Sequence, residues 1–108
     1  MYAVIFEVEP QDRRRADRYF ELAAQLRPEL EKIDGFISVE RFESLTNKGK
    51  YLSLSFWRDE AAVKAWRTHM GHQAAQREGK ESVFKDYRIR VAEVVRDYTL
   101  EDRRGKSW

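Results

Sequence analysis

From Tyr2 to Glu9 (YAVIFEVE) the chain is almost continuously apolar, and Pro10 closes the run. Tyr2, Val4, Phe6 and Val8 share one face and Ala3 and Ile5 the other. A stretch so rich in β-branched and aromatic residues predicts a first strand. From Asp12 to Ile33 the spacing changes. Ala16, Tyr19, Phe20, Ala23, Leu26, Leu30 and Ile33 recur at helical intervals. Pro28 is expected to kink this helix or start a second short piece, because it lacks a backbone donor. Asp34-Gly35 then signals a stop and turn. Phe36–Leu45 (FISVERFESL) alternates as a second strand, and Thr46-Asn47-Lys48-Gly49 reads as a hairpin turn. In the third strand, Lys50–Trp57, Leu52, Leu54 and Phe56 face one way and Tyr51, Ser53, Ser55 and Trp57 the other. Asp59 is placed to cap a helix through Ala62, Val63 and Trp66. Gly71 is expected to break it, with a second piece running to about Glu78. Gly79–Asp86 reads as loop, Tyr87–Tyr98 (YRIRVAEVVRDY) as a long fourth strand, and TLEDRRGKSW as a polar tail ending in Trp108.

The resulting order is β-α-β-β-α-β. With right-handed crossovers it predicts an α+β, ferredoxin-like sandwich over residues 1–98, followed by a tail over 99–108. Helices can cover only one face of such a sheet. Yet the first strand is apolar on both faces, and the fourth sets Ile89, Val91 and Val95 against Ala92 and Val94. A second copy packed sheet against sheet would cover the open side, which predicts a homodimer.

Charge does not change this picture. The 108 residues are 42% hydrophobic, 13% aromatic and 37% charged, enough apolar content for one packed domain. The 21 basic and 19 acidic residues nearly cancel, so the net charge of +2 gives no reason to expect nucleic acid as a partner. The densest basic run, Arg13-Arg14-Arg15 with Arg18, is interleaved with Asp12 and Asp17 and reads as a solvated helix face. The absence of cysteine excludes disulfides and thiolate chemistry. No apolar run approaches the roughly 20 residues of a membrane span. The N-terminus reads as a strand and not as a signal peptide, so a cytoplasmic protein is expected.

Candidate chemistry concentrates in WRTHMGHQAAQ, Trp66–Gln76, which holds both histidines. Trp66 fits either a core position or a pocket wall. His69, one turn later, reads either as a helix-terminating residue bonded to free carbonyls or as a site residue. His72 and Gln76 are four apart and share a helical face, so with Trp66 and His69 they could line one opening. Two histidines without a third placed ligand do not make a metal site; Glu78 and Glu81 follow in no recognised spacing. Arg88 and Arg90 share a face of the fourth strand, with Tyr87 and Ile89 on the other. Arginines inside a strand need partners, and Glu40 and Glu43 are candidates for ion pairs at a dimer interface. Ser53 and Ser55 lie in no nucleophile motif, and no glycine-rich phosphate loop occurs.

Three stretches, IDGFISVERFES, LSFWRDEAAVKAW and YRIRVAEVVRDY, together with the element order over residues 2–98, resemble the antibiotic biosynthesis monooxygenase family of dimeric α/β barrels. The resemblance implies a homodimeric eight-stranded barrel with a ligand pocket between sheet and helices in each subunit. It also implies oxygenation of a small electron-rich aromatic, a phenol or quinol, with no metal, flavin or haem as cofactor. The substrate's own carbanion or radical character would activate oxygen. Such chemistry needs a dry aromatic pocket, a base and an oxyanion donor. Here Trp66 and Trp57 would be walls, His69 or His72 the base, and Tyr87, Arg88 and Arg90 donors, with His72 and Trp66 the principal candidates and Gln76 a further contact. A haem-degrading branch of the family uses an asparagine in the first strand, a tryptophan in the second helix and a histidine ten residues beyond it. Trp66 matches, but Gln76 stands at the histidine position and the first strand carries no asparagine. A non-catalytic small-molecule-binding dimer on the same scaffold is the other reading.

Overall fold

A computed structural model describes residues 1–103, apart from the side chain of Met70. Trp108 and the end of the polar tail lie outside the described residues. Strand β1 (Tyr2–Pro10) leads into helix α1 (Arg13–Glu31), followed by the hairpin β2 (Phe36–Glu43) and β3 (Tyr51–Trp57). Helices α2 (Glu60–Arg67) and α3 (Met70–Glu78), a π-helical turn (Gly79–Val83), strand β4 (Phe84–Glu93) and a short helix α4 (Leu100–Arg103) follow within the described residues. The four strands form one sheet in the order β2-β3-β1-β4, with every neighbouring pair antiparallel. This is the ferredoxin-like α+β architecture that the sequence pattern predicts.

The local signals act largely as expected. Asp12 caps α1 through its carboxylate, which accepts from the Arg15 N–H at 2.9 Å, and Asp59 caps α2 by accepting from Ala62 at the same distance. The pKa of both caps is lowered. At Asp12 the backbone bond from Arg15 is the main cause; at Asp59 the bond from Ala62 comes first and the Arg58 side chain second. Gly35 and Gly49 adopt φ of 93° and 83°, the left-handed conformation their turns require. A Cβ on Gly35 would also lie 2.7 Å from that of Ala62.

Four boundaries differ from the sequence expectation. Pro28 lies inside a single continuous α1. It is exposed, as is Ala24 four residues earlier, whose carbonyl the missing donor leaves free to bond water. The break after α2 falls at Thr68-His69, not at Gly71, which sits in the first turn of α3. Gly79–Asp86 is not a loop. The π turn buries Val83 to 1% exposure and its carbonyl accepts from Gln11 N–H at 3.0 Å, so β4 begins already at Phe84. At the other end β4 stops at Glu93. Its partner β1 has run out there, and the last bond across is Val94 N–H to the Met1 carbonyl, 2.9 Å.

The helices cover one face of the sheet and bury it in two clusters. Val8, Ala16, Tyr19, Tyr51 and Val83 form one, joined by Phe6, Phe20 and Phe84. Leu30, Trp57 and Ala62 form the other, with Tyr2, Val4, Ile33, Phe36, Val39, Val63 and Trp66 packed on it. Burial in β3 alternates strictly, and the buried set is Tyr51, Ser53, Ser55 and Trp57. The more apolar set, Leu52, Leu54 and Phe56, therefore lies on the face that carries no helix.

Candidate active site

A cavity of about 300 Å³ opens where the two clusters meet. This is at the low end of the range of roughly 300–1,000 Å³ typical of small-molecule sites. Its floor is the helix-covered face of the sheet: Val4 and Phe6 from β1, Val39 and Arg41 from β2, Ser53, Ser55 and Trp57 from β3, and Tyr87, Ile89 and Val91 from β4. The strand registers require this grouping, since Val39, Ser55, Val4 and Val91 lie in one row across the sheet and Arg41, Ser53, Phe6 and Ile89 in the next. The roof comes from Tyr19, Leu22, Ala23, Leu26 and Leu30 of α1, Val63, Trp66 and Arg67 of α2, and His72, Ala75 and Gln76 of α3. Lys80 and Phe84 close the end nearest the π turn.

Of the candidates from the sequence, Trp57, Trp66, His72, Gln76 and Tyr87 converge on this cavity. Trp57 is 1% exposed, and its indole Nε1–H donates to Ser55 Oγ at 2.9 Å, which satisfies both buried polar groups. His69 lies outside the lining, and it starts a helix where a helix-ending role was expected. It is the N-cap of α3, where its Nδ1 accepts from the Gly71 N–H at 3.1 Å. Arg88 and Arg90 are not brought to the cavity. They pair in register with Glu7 and Ile5 on the face without helices, where Arg90 bonds Glu7 at 3.2 Å. The ion-pair partner of Arg90 is thus Glu7 on the adjacent strand, not Glu40 or Glu43.

His72 is the one titratable group with a clear electrostatic signature at the site. Its ring stacks on Trp66 with centroids 4.5 Å apart and planes 15° from parallel, and the ring of His69 stacks on the same indole at 5.2 Å and 29°. Nδ1 of His72 lies 3.1 Å from the Trp66 carbonyl. A carbonyl oxygen can only accept, so Nδ1 carries the proton and Nε2 of the neutral ring keeps a free lone pair. Burial pushes the imidazole pKa down. The bond to the Trp66 carbonyl opposes that shift, and the nearby His69 adds to it. The ring is therefore neutral near pH 7 and able to accept a proton.

Sequence reasoning missed Tyr19, Arg41, Ser53, Ser55 and Lys80 as lining residues. Arg41 lies in the cavity wall, its Nε donating to the Tyr19 hydroxyl at 3.3 Å and its guanidinium 5.7 Å from the centre of that ring. The signal for Arg41 and the serines was present in strand parity: they share the face of Trp57. Among the described residues no group of three or more histidine, aspartate or glutamate side chains is arranged to hold a metal ion.

Residues 1–78 match the family model described as antibiotic biosynthesis monooxygenase. The chain belongs to the antibiotic biosynthesis monooxygenase family. It is 50% identical over 95 residues to the jasmonate monooxygenase ABM of Pyricularia oryzae, a match that takes in 88% of this chain and 44% of that protein. The chain thus spans less than half the length of this relative. It is 30% identical over 106 residues to the Bacillus subtilis protein YqjZ, covering 94% of this chain and 85% of that one. Among solved structures, one described as an antibiotic biosynthesis monooxygenase from Deinococcus radiodurans superposes with a TM-score of 0.81 at 17% identity, over 93% of this chain and 98% of that one. Rv0793 from Mycobacterium tuberculosis superposes with a TM-score of 0.76 at 19% identity, over 91% of this chain and 98% of that one. At these identities the superpositions establish the fold alone. Family membership accounts for the topology.

Proposed function

We propose that the chain is a cofactor-independent monooxygenase acting on a small electron-rich aromatic, a phenol or quinol, bound in the cavity between the two clusters. The observation that carries this reading is His72: a neutral imidazole at the cavity wall, its tautomer set by a backbone carbonyl so that Nε2 is the basic nitrogen. Family membership and the printed name of the Pyricularia relative, a monooxygenase, support the reaction class.

In this reading the substrate loses a proton to His72 Nε2, and the resulting phenolate or carbanion delivers electrons to dioxygen. In an anthrone, for example, the two hydrogens of the reacting methylene are replaced by one oxygen atom as a carbonyl. The other oxygen atom leaves with those hydrogens as water. The aromatic walls keep bulk water from the reduced oxygen species. Trp66 holds the imidazole by stacking, and the substrate's developing oxyanion is matched by donors in the wall, among them Tyr87. Gln76 is a polar contact for the ligand, and His69 acts through the stack on Trp66.

The protein is further proposed to work in the cytoplasm as a homodimer joined through the open sheet face. Oxygen uptake with a panel of quinols and anthrones tests the reading. Substrate-dependent uptake that falls about 100-fold or more in His72→Gln is expected for a general base. Ligand binding without oxygen uptake across the panel would instead identify a binding protein.

A further inference from the structure

The charges around the cavity are of one sign. Arg41, Arg67 and Lys80 line it, and no aspartate or glutamate does. This is a selective arrangement, because the chain carries nearly as many acids as bases. Several cations elsewhere are paired with acids, among them Arg18 with Glu78 and Glu21, Arg58 with Asp34 and Asp59, and Arg90 with Glu7. Arg41 has no carboxylate partner among the described residues. Its Nε is engaged by Tyr19, while both Nη groups make no hydrogen bond within the described residues. Tyr19 Oη accepts that bond, which leaves its own O–H free to donate. Arg41 is half-buried, Tyr19 is buried, and the rings of Phe6, Phe20 and Phe84 pack against Tyr19. A guanidinium does not shed its proton in such a setting, so the half-buried charge remains available to an anion from outside the chain.

We propose that the cavity takes an amphipathic carboxylate, its anionic end held by the two Nη groups of Arg41 and the hydroxyl of Tyr19 and its apolar body between the two core clusters. The planar guanidinium matches a carboxylate in bidentate geometry, and the Tyr19 hydroxyl adds a third donor. Arg67 and Lys80, both exposed at the cavity, draw the anion toward the opening. The inference rests on the cavity being the substrate site and narrows its substrates to ring compounds that carry a carboxylate away from the reacting carbon.

Calorimetric titration of the intact protein at pH 7 with octanoate, octanamide and 1-octanol tests it. These three probes share an apolar body and differ in the charge of the head. Octanoate is expected to bind at least about tenfold more tightly than either neutral probe, the factor a charge-assisted hydrogen bond supplies. Arg41→Gln should bring the acid-to-amide ratio close to one, and Tyr19→Phe should weaken octanoate while leaving octanamide unchanged. Octanamide binding as tightly as octanoate, or no octanoate binding, overturns the inference in the unaltered protein, whatever the folding of the variants. A ratio unchanged in both variants overturns the assignment to Arg41. Oxygen uptake reports separately on the proposed reaction. Acid selectivity without turnover on ring carboxylates would refute only the oxygenase reading, and turnover of neutral quinols without acid selectivity only the carboxylate.

Discussion

His72 shows how one side chain couples stability to chemistry. Its folded pKa lies below the ordinary value, so the unfolded chain binds the proton more readily than the folded one. The stability contributed by the neutral ring is complete above the unfolded pKa of about 6.5 and is lost as pH falls from there toward the folded pKa. Denaturant unfolding at a series of pH values should show a decline beginning below about 6.5 that is absent from His72→Gln. Identical profiles for the two proteins would contradict the half-buried, neutral ring. Trp57 belongs to the core as much as to the cavity wall. At 1% exposure its replacement by alanine should cost about 3–5 kcal/mol in chemical denaturation. At this scale the sequence was only partly readable. Periodicity placed His72 and Gln76 on one helical face, and both reach the cavity. Strand parity separated Arg88 and Arg90 from Tyr87, but could not say which face the helices cover. His69 is one residue past a helix C-cap and is itself the N-cap of the next helix, a distinction that depends on where the chain turns.

At the scale of elements, the junction between α3 and β4 is the least legible part and one of the most constrained. GKESV looks like a polar loop, yet it winds as a π turn that carries Val83 into the core. Gly79 makes this possible. A Cβ there would stand 2.4 Å from Phe84 Cε2, and that ring is held by contacts with Phe6, Tyr19 and Tyr87. Gly79→Ala should therefore destabilise by about 1–3 kcal/mol despite alanine's better helix propensity, with the loss seen as a lower denaturation midpoint. A neutral or stabilising result would mean that the Phe84 ring yields freely. Strand β3 carries the complementary lesson. Its alternation is plain in the sequence, but hydropathy alone favours Leu52, Leu54 and Phe56 as the core-facing set. The structure instead puts the serines and Trp57 under the helices, because the helix side must supply a cavity floor as well as a core.

For the whole molecule, the consequence is an apolar sheet face with no helix on it. Leu52, Leu54 and Phe56 of β3 lie beside Ala3 and Ile5 of β1, with Phe42 at 44% exposure on β2 and the Glu7–Arg90 pair beside Arg88 on β4. Apolar area of this kind on a sheet is matched by packing against another sheet, and a two-fold copy supplies a self-complementary surface. Light scattering should give a mass twice that of the 12.9 kDa chain, and Leu54→Glu should shift it toward the monomer. A monomer for the unaltered protein would leave the dimer proposal without support. The fold was legible at this scale because each element carries its own local signal and the order admits few topologies. The cavity was not, since it arises only where α1, α2 and α3 cross the sheet between two separately packed clusters.

In the proposed reaction the cavity supports oxygen-dependent oxidation with His72 as base. Steady-state oxygen uptake with an anthrone, followed from pH 5 to 8 for the unaltered protein and His72→Gln, tests it most directly. One dioxygen should be taken up per carbonyl formed, with a rate that declines only below about pH 6.5 as the ring becomes protonated. In His72→Gln the rate should be about 100-fold lower or less and should lack that limb. Full turnover and an unaltered pH profile in His72→Gln would contradict it.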